Sequence, residues 1–178
     1  MCLVKHGSGN ENDSSVDRAF AMEIEVLIIE VDQRRFGIRS TDVVEVLRAV
    51  ALSKLPNSSA IIEGVFNMRG NIVGVLNLRR MLDLPTKSMR HTDHLIVVQA
   101  DNRVLALRAD RAVELLPLKL DHDEAADKSD QDSLRTTMVG KTLDGIVHVL
   151  TPSRFLTDEA TKAAIDALAN SVATEVLT

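Results

Sequence analysis

The sequence predicts an all-β protein that ends in a helix, and three observations carry this prediction. Short apolar runs, rich in β-branched residues, alternate with turn residues from position 25 to position 150. The same order of strands and charged residues occurs twice. The segment 158–178 instead repeats its apolar residues at helical spacing. Short strands separated by turns are typical of β-sandwiches and β-barrels.

The composition is that of an ordinary globular protein, and it argues against one class of function. The chain has 178 residues, enough for one compact domain or for two small lobes that share a core. Apolar residues make up 45% and charged residues 26%. The net charge of −5 and the aromatic content of 2% argue against nucleic-acid binding, because such surfaces need a basic groove and stacking rings.

The N-terminal segment 1–22 is rich in Gly, Ser, Asn and Asp, and we expect it to be a disordered leader. It lacks the apolar region of a signal peptide, and no stretch reaches the roughly 18 apolar residues of a membrane span. Cys2 is the single cysteine, so a disulfide within the chain is impossible. We therefore expect a cytoplasmic protein without membrane insertion.

The first strands follow the leader. The apolar run 25–31 predicts a strand, the polar residues 32–35 a turn, and 36–38 the start of a second strand. Ser40, Thr41 and Asp42 are typical of a capped helical turn, and 44–47 predicts a further strand.

A break at 56–59 separates these strands from the stretch EGVFNMRGNIVGVLNLRRML, residues 63–82. Residues 60–62 are interpreted as a short helix. Within the stretch, 65–66 and 72–76 predict two buried strands joined by Asn67-Met68-Arg69-Gly70-Asn71. A polar connector, 84–93, follows. The residues after it predict strands at 94–99 and 104–107 with a turn between them.

An internal duplication relates the two series of strands. Residues 31–47, VDQRRFGIRSTDVVEVL, align without a gap with residues 100–116, ADNRVLALRADRAVELL. Residues 72–76 likewise align with 146–150, and the residues that follow also match, Arg80 with Arg154 and Leu82 with Leu156. Because both series run in the same order, the sequence predicts two related β units. Lobe one is expected at about 36–90 and lobe two at about 94–150, with strand 25–31 in either lobe.

Two further segments differ from this β pattern. Residues 121–132 hold six acids and one lysine, and we expect a solvated loop there, because the glycine and glutamate of a calcium-binding EF-hand are absent. The segment 158–178 predicts an amphipathic C-terminal helix, packed on the β units or on a partner. Its apolar face consists of Ile165, Leu168, Val172 and Val176.

The sequence contains no recognisable catalytic motif. It lacks a nucleophile elbow, a P-loop, a zinc-protease helix motif and a dinucleotide fingerprint. His91 and His94 flank Asp93, but no third group of ligands accompanies them. His148 is interpreted as a half-buried or interface histidine, and Asp110 and Glu114 as surface acids. No catalytic residue, metal or cofactor is therefore expected.

The motifs resemble those of the CheW-like domain family. FGIRSTDVVEVL, a Leu-Pro break and IIEGVFNMRGNIVGVLNLRRMLDL are similar to its pattern of an aromatic-Gly-Ile strand, a Val-x-Glu-Val strand and an Ile-x-Gly-Val-x-Asn-Leu-Arg-Gly core. The chain departs from that pattern at Gly74, at Asn77 and at residues 107–110. The resemblance implies one CheW-like domain at 23–157, built as two five-stranded SH3-like barrels.

The resemblance also implies a function. CheW-like adaptors are not enzymes; they couple the signalling tips of methyl-accepting chemoreceptors to the regulatory domain of a CheA-type histidine kinase, in receptor arrays at the inner face of the membrane. The pathway implied is chemotaxis or a related chemosensory system such as motility. The candidate receptor- or kinase-binding residues that follow are Val43, Glu45, Gly64, Asn67, Arg69, Gly70 and Val75.

Arg69 has two interpretations. It either binds local carbonyl groups and fixes the turn, or it docks a partner at the rim of an apolar groove. Three alternatives to the adaptor also remain: a ligand-binding or enzymatic β-barrel of unknown substrate, a small-barrel nucleic-acid binder, and a fragment of a kinase that carries its own CheW-like regulatory domain.

Overall fold

The computed structural model describes residues 22–55, 58–120, 136–142, 145–156, 159, 162–163 and 165–166. Ten strands make up most of this part of the chain: β1 Met22–Val31, β2 Arg34–Arg39, β3 Val43–Arg48, β4 Ile62–Met68, β5 Asn71–Asn77, β6 His94–Ala100, β7 Arg103–Ala109, β8 Arg111–Leu120, β9 Thr136–Thr142 and β10 Gly145–Leu150. A 3-10 turn at Ser40–Asp42 precedes β3, helix α1 Leu78–Met81 follows β5, and helix α2 Pro152–Phe155 follows β10.

The strands form two five-stranded units. The first, which we call the closed barrel, has the cyclic order β1-β2-β10-β9-β8. The second, which we call the second sheet, has the order β3-β6-β7-β5-β4. The all-β fold class with two five-stranded units is thereby confirmed.

The duplication is visible in the strand pairing. In the closed barrel β2 runs parallel to β10 with Phe36 opposite His148, and in the second sheet β7 runs parallel to β5 with Leu105 opposite Gly74. These two pairs are equivalent in the sequence alignment of the repeats. The same bulge also occurs in both units, between Ile28 and Ile29 where β1 meets β8 and at the matching place where β3 meets β6.

The predicted lobe boundaries of 36–90 and 94–150 are wrong, because the two repeats exchange strands. The closed barrel takes β1 and β2 from the first repeat and β8, β9 and β10 from the second. The second sheet takes the remaining three strands of the first repeat and β6 and β7 of the second. Strand 25–31, left in either lobe by the sequence, lies in β1 of the closed barrel. The short helix expected at 60–62 is also absent: residues 60–61 form a turn and Ile62 begins β4, opposite Leu76.

Three apolar clusters explain why strands such as β1 are apolar on both faces. Val26 and Ile28 of β1 point into the closed barrel, where they meet Leu118, Val147 and Val149. The alternate residues Leu27, Ile29 and Val31 point the other way, as the two-residue period of a strand requires. They belong to a central core that also includes residues of β2, β4–β7, β10 and both helices. A third cluster lies on the opposite face of the second sheet and contains Phe66, Val73, Val75, Leu95, Val97 and Ala106.

The C-terminal segment reaches this central core. Residues 159, 162–163 and 165–166 are helical, and Ile165 is only 4% exposed within the core. Asp166 forms an ion pair with Arg103 at 2.5 Å. Leu168, Val172 and Val176 lie outside the described residues, as do the leader 1–21 and the acidic segment 121–132. In the part of the chain that is described, no helix is long and apolar enough to cross a membrane.

Candidate functional site

The turn between β4 and β5 is a two-residue connection made by Arg69 and Gly70. Met68 pairs directly with Asn71, and the two turn residues have φ values of 52° and 90°. Positive φ at both positions defines a type I′ turn, whose twist suits an antiparallel hairpin. The side chain of Asn67 accepts a hydrogen bond from the Gly70 N–H at 2.7 Å. The backbone geometry therefore holds Arg69 at a fixed place despite its strained conformation.

The Arg69 guanidinium binds a carboxylate rather than a local carbonyl. Its Nη2 lies 2.9 Å from Oε1 of Glu45, and the side chains of the two residues are 77% and 26% exposed respectively. Glu45 lies on β3, and β3 and β4 are the two outer strands of the second sheet. The ion pair therefore connects the two edges of this sheet. It brings together two of the residues that the sequence singled out.

Backbone hydrogen bonds form a second connection between the two edges of the second sheet. Ser53, beyond the end of β3, exchanges two backbone hydrogen bonds with Val65 of β4, at 2.8 and 2.9 Å. The adjacent Gly64 has a φ of 153°, and a Cβ atom there would lie 2.6 Å from the carbonyl oxygen of Ser53. Gly64 is buried. Its lack of a side chain allows the segment after β3 to cross β4 closely.

The remaining predicted residues are less accessible. Val75 is fully buried in the third apolar cluster, on the face of the second sheet away from the central core. Val43 is partly buried, packs against the central core and lies opposite Val98. Its repeat counterpart Ala112 packs against the same core, so Val43 is a core position. Of the seven candidates, Asn67, Arg69 and Gly70 are exposed and Glu45 is partly exposed.

An exposed apolar strip lies on β3, the same edge strand as Glu45, and was not predicted from the sequence. Val44 is 52% exposed and Val46 38% exposed, on either side of Glu45 along β3. Val46 pairs with Ile96 of the central core, so the strip continues the layer of that core to the surface. The alternation of residue types along 43–48 predicts a half-exposed strand. Only the order of strands in the sheet shows that β3 is an edge strand whose apolar residues are uncovered.

Arg108 is the centre of a buried polar network at the end of the second sheet. Its guanidinium binds Glu63 at 2.8 Å, Asp93 at 3.3 Å and the carbonyl of Lys87 at 2.8 Å. Asn77 donates a hydrogen bond to Glu63 at 2.5 Å. Burial raises the pKa of Glu63, and the positive charge of Arg108 opposes that shift. Asn77 and Arg108, two of the departures from the family pattern, thus belong to one network.

A second buried arginine joins the two units. Arg79 of α1 binds Asp32 at 2.9 Å, Asp110 at 2.6 Å and the carbonyl of Pro85 at 2.9 Å. Asp32 lies in the β1–β2 turn, and Asp110 lies between β7 and β8. Burial would raise the pKa of Asp110, but hydrogen bonds from the Asp32 N–H and from Arg79 outweigh it, so the pKa is lowered. Asp110 is therefore a structural acid and not the surface acid that the sequence suggested.

Three histidines, His91, His94 and His148, lie in the described part of the chain. The described residues contain no group of three His, Cys, Asp or Glu side chains that could hold a metal ion. His94 is half-buried, and burial together with the charge of Arg48 lowers its pKa. His148 is exposed, and its ring centroid lies 6.5 Å from that of Phe36.

Comparison with known proteins agrees with the architecture. The chain is 36% identical to Protein FrzA of Myxococcus xanthus over 124 residues, which cover 62% of this chain and 77% of the relative. It is 22% identical to the Chemotaxis protein CheW of Helicobacter pylori over 121 residues, 67% of this chain and 73% of the relative. The Thermotoga maritima protein of the same name is 27% identical over 109 residues, 60% and 72% of the two chains.

A solved structure and a family model complete the comparison. The crystal structure of the scaffolding protein TtCheW from Thermoanaerobacter tengcongensis superposes with a TM-score of 0.65 at 20% identity, covering 75% of this chain and 88% of that one. This likeness shows the shared fold. The model of the CheW-like domain matches residues 25–160, which include β2 to β10 and all but the first three residues of β1. The chain belongs to the CheW-like domain family.

Proposed function

We propose that the protein is a non-enzymatic adaptor that couples the signalling tips of chemoreceptors to the regulatory domain of a CheA-type histidine kinase. Membership of the CheW-like family supports this role, as do relatives that carry the names chemotaxis protein and scaffolding protein. The adaptor would act in receptor arrays at the inner face of the membrane, without inserting into it. The pathway would be chemotaxis or a related chemosensory system.

The single observation that carries the proposal is the exposed Arg69 at an edge of the second sheet whose strand β3 also carries uncovered apolar residues. The guanidinium is held by a type I′ turn and one ion pair, and Val44 and Val46 flank its partner Glu45. Interfaces typically combine an apolar centre with Arg or aromatic anchors and a polar rim. An apolar helical surface of a receptor tip that also presents an acidic group fits this combination. Buried or partly buried residues would contribute indirectly, by maintaining the shape of the sheet that carries Arg69. They are Val43, Gly64 and Val75.

The closed barrel would bind the kinase, because it too carries exposed apolar residues. Its exposed apolar residues include Ile146 at 61% and Leu115 at 55%. In the repeat alignment these are the counterparts of Ile72 and Val46, which are also exposed. Exposed apolar residues at matching positions of the two units suit a protein that binds one partner through each unit.

Co-sedimentation tests the proposal. Receptor signalling domains displayed on vesicles are mixed with the full chain, with the kinase regulatory domain, or with both. The expected result is that the chain binds the receptors and increases recovery of the kinase domain in the pellet. Failure of the chain to bind either partner would contradict the proposal. Binding of the kinase domain alone would contradict receptor docking at the Arg69 surface.

A further inference from the structure

An acid occupies the same position in both repeats. In the gap-free alignment of 31–47 with 100–116, Glu45 of β3 corresponds to Glu114 of β8. Each acid follows a bulge in its strand, where Val44 and Val113 respectively have no partner in the pairing. The strand pairing around the two acids is therefore the same, and their surroundings can be compared directly.

The cation that binds Glu45 has no counterpart in the closed barrel. Arg69 is the first of the two residues between β4 and β5. β9 and β10 are likewise separated by two residues, of which the first is Leu143. Leu143 lies outside the described residues, but its place in the alignment shows that an apolar residue replaces the arginine. The closed barrel therefore lacks the arginine that would pair with Glu114.

Glu114 carries an uncompensated charge at the surface. It is exposed, and in the described part of the chain no cation lies within ion-pair distance of it. The other charged residues of β8 are Arg111 and Lys119, three and five positions away, and Arg111 lies opposite Glu30 of β1. The residue opposite Glu114 on β1 is the buried Ile28. The carboxylate is therefore available to a cation from another molecule.

The stretch of β8 that carries Glu114 has a free edge. β8 pairs with β1 along its length, but it pairs with β9 only at Lys119 and Leu120. Because β9 ends one residue after this pairing, residues 112–117 extend beyond it, and no described strand pairs with them on that side. Leu115 in this stretch is 55% exposed. A partner that lies along the edge can contact Leu115 on one face of the strand and Glu114 on the other.

We propose that the two units select their partners by charges of opposite sign at these equivalent positions. The inference rests on the proposed function, in which the second sheet binds the receptor and the closed barrel binds the kinase. On the second sheet the more exposed group of the ion pair is the cation, because the side chain of Arg69 is 77% exposed and that of Glu45 is 26% exposed. On the closed barrel the exposed group is the carboxylate of Glu114.

The opposite signs identify the chemistry of each partner. The kinase regulatory domain presents an arginine or lysine next to an apolar side chain, which contact Glu114 and Leu115. The receptor tip presents an acid to Arg69. Each charge also repels the wrong partner, because a receptor acid at Glu114 or a kinase cation at Arg69 would place like charges together. Two units related by duplication thereby bind different proteins.

The experiment measures binding of the kinase regulatory domain and of receptor signalling domains to the full chain by isothermal titration calorimetry. Glu114→Gln should weaken kinase binding about threefold, as loss of an exposed ion pair does. Glu114→Lys should weaken it about tenfold or more, because the reversal places like charges together. Receptor binding should be unchanged in both variants. Added salt should weaken kinase binding by the unchanged protein more than binding by Glu114→Gln.

The control is Glu23→Lys, which reverses an exposed acid on β1 of the same barrel and should leave both affinities unchanged. Denaturant midpoints of the Glu114 variants should match that of the unchanged protein, because the side chain is exposed. Unchanged kinase affinity in Glu114→Lys, or an equal loss in Glu23→Lys, overturns the proposal. An equal loss of receptor affinity in Glu114→Lys also overturns it. If the unchanged protein does not bind the kinase domain, the proposed function fails, and this inference fails with it.

Discussion

Arg69 and Glu45 form an ion pair of 2.9 Å that joins opposite edges of one five-stranded sheet. Between the same two edges, the backbones of Ser53 and Val65 exchange hydrogen bonds. The closed barrel differs, because β8 and β9 are paired and complete its circle. Arg69, which we propose binds a partner, thus also links the two edge strands of its own sheet.

Arg69→Ala should affect binding more than stability. An exposed ion pair contributes about 0.2–1 kcal/mol, so the free energy of unfolding should fall by no more than about 1 kcal/mol. Affinity for receptor signalling domains should fall by about 1–2 kcal/mol, as for an interface anchor. Denaturant midpoints and co-sedimentation measure the two effects. The matched control is Arg39→Ala, which removes a partly exposed ion pair with Asp42 and should leave binding unchanged. If Arg69→Ala unfolds the protein, the turn arginine is structural.

Gly64→Ala should destabilise the protein, in contrast to Arg69→Ala, which should mainly weaken binding. A methyl group would lie 2.6 Å from the Ser53 carbonyl, at a φ of 153° that side chains rarely adopt. We expect a loss of more than about 1 kcal/mol in the free energy of unfolding. Gly70→Asn is the control: Gly70 has a positive φ, but no atom lies within 4 Å of a Cβ there, and asparagine tolerates that conformation. Equal stability of the two variants would show that the close approach to Ser53 has no energetic consequence.

Arg108→Ala should lower the free energy of unfolding more than most other single substitutions. It leaves Glu63 and Asp93 buried without their cation, which typically costs about 3–5 kcal/mol. Chemical denaturation measures the loss. Arg103→Ala on the same strand is the matched control, because its ion pair with Asp166 is partly exposed and should contribute less than about 1 kcal/mol. Similar losses in both variants would contradict a special role of the buried network.

Asp110 should make the stability depend on acid pH. Its folded pKa lies below the ordinary value of 3.8, so the ionised carboxylate stabilises the folded state. That contribution is fully present above 3.8 and is lost as the pH falls through the folded pKa. Asp110→Asn should therefore be less stable than the unchanged protein at about pH 7, and the difference should shrink as the pH falls below the ordinary value. Denaturant midpoints across this range measure it, with the exposed turn substitution Asp101→Asn as a control. A difference that is constant with pH would contradict the linkage.

Ile165→Ala should reveal how strongly the C-terminal segment is attached. Ile165 is 4% exposed in the central core, and truncating a buried isoleucine to alanine costs about 2–5 kcal/mol. The melting temperature should fall accordingly. Lys162→Ala, at an exposed position of the same helical segment, should leave it unchanged. A melting temperature unaffected by Ile165→Ala, with weaker receptor or kinase binding, would instead assign this apolar face to a partner.

Local sequence patterns determined much of the fold. Strands such as 72–76 were predictable because they are apolar runs bounded by turn residues, and a hairpin pairs residues that are neighbours in the chain. The duplication, the family and the prominence of Glu45 and Arg69 were also visible without coordinates. Ile165 was identified by its helical spacing and is buried in the central core.

The tertiary structure alone decided which hairpins combine and which charges are buried. The two repeats carry the same pattern, so the sequence of β2 does not distinguish β10 from the equivalent strand of its own repeat. Arg79 and Arg108 look like surface cations, because their acids come from distant segments such as Asp32 and Glu63. A non-local contact also set the role of Gly64, since the segment that crosses it follows another strand, β3. Contacts between distant segments depend on how all the strands of both units pack together. A local sequence pattern does not contain that information.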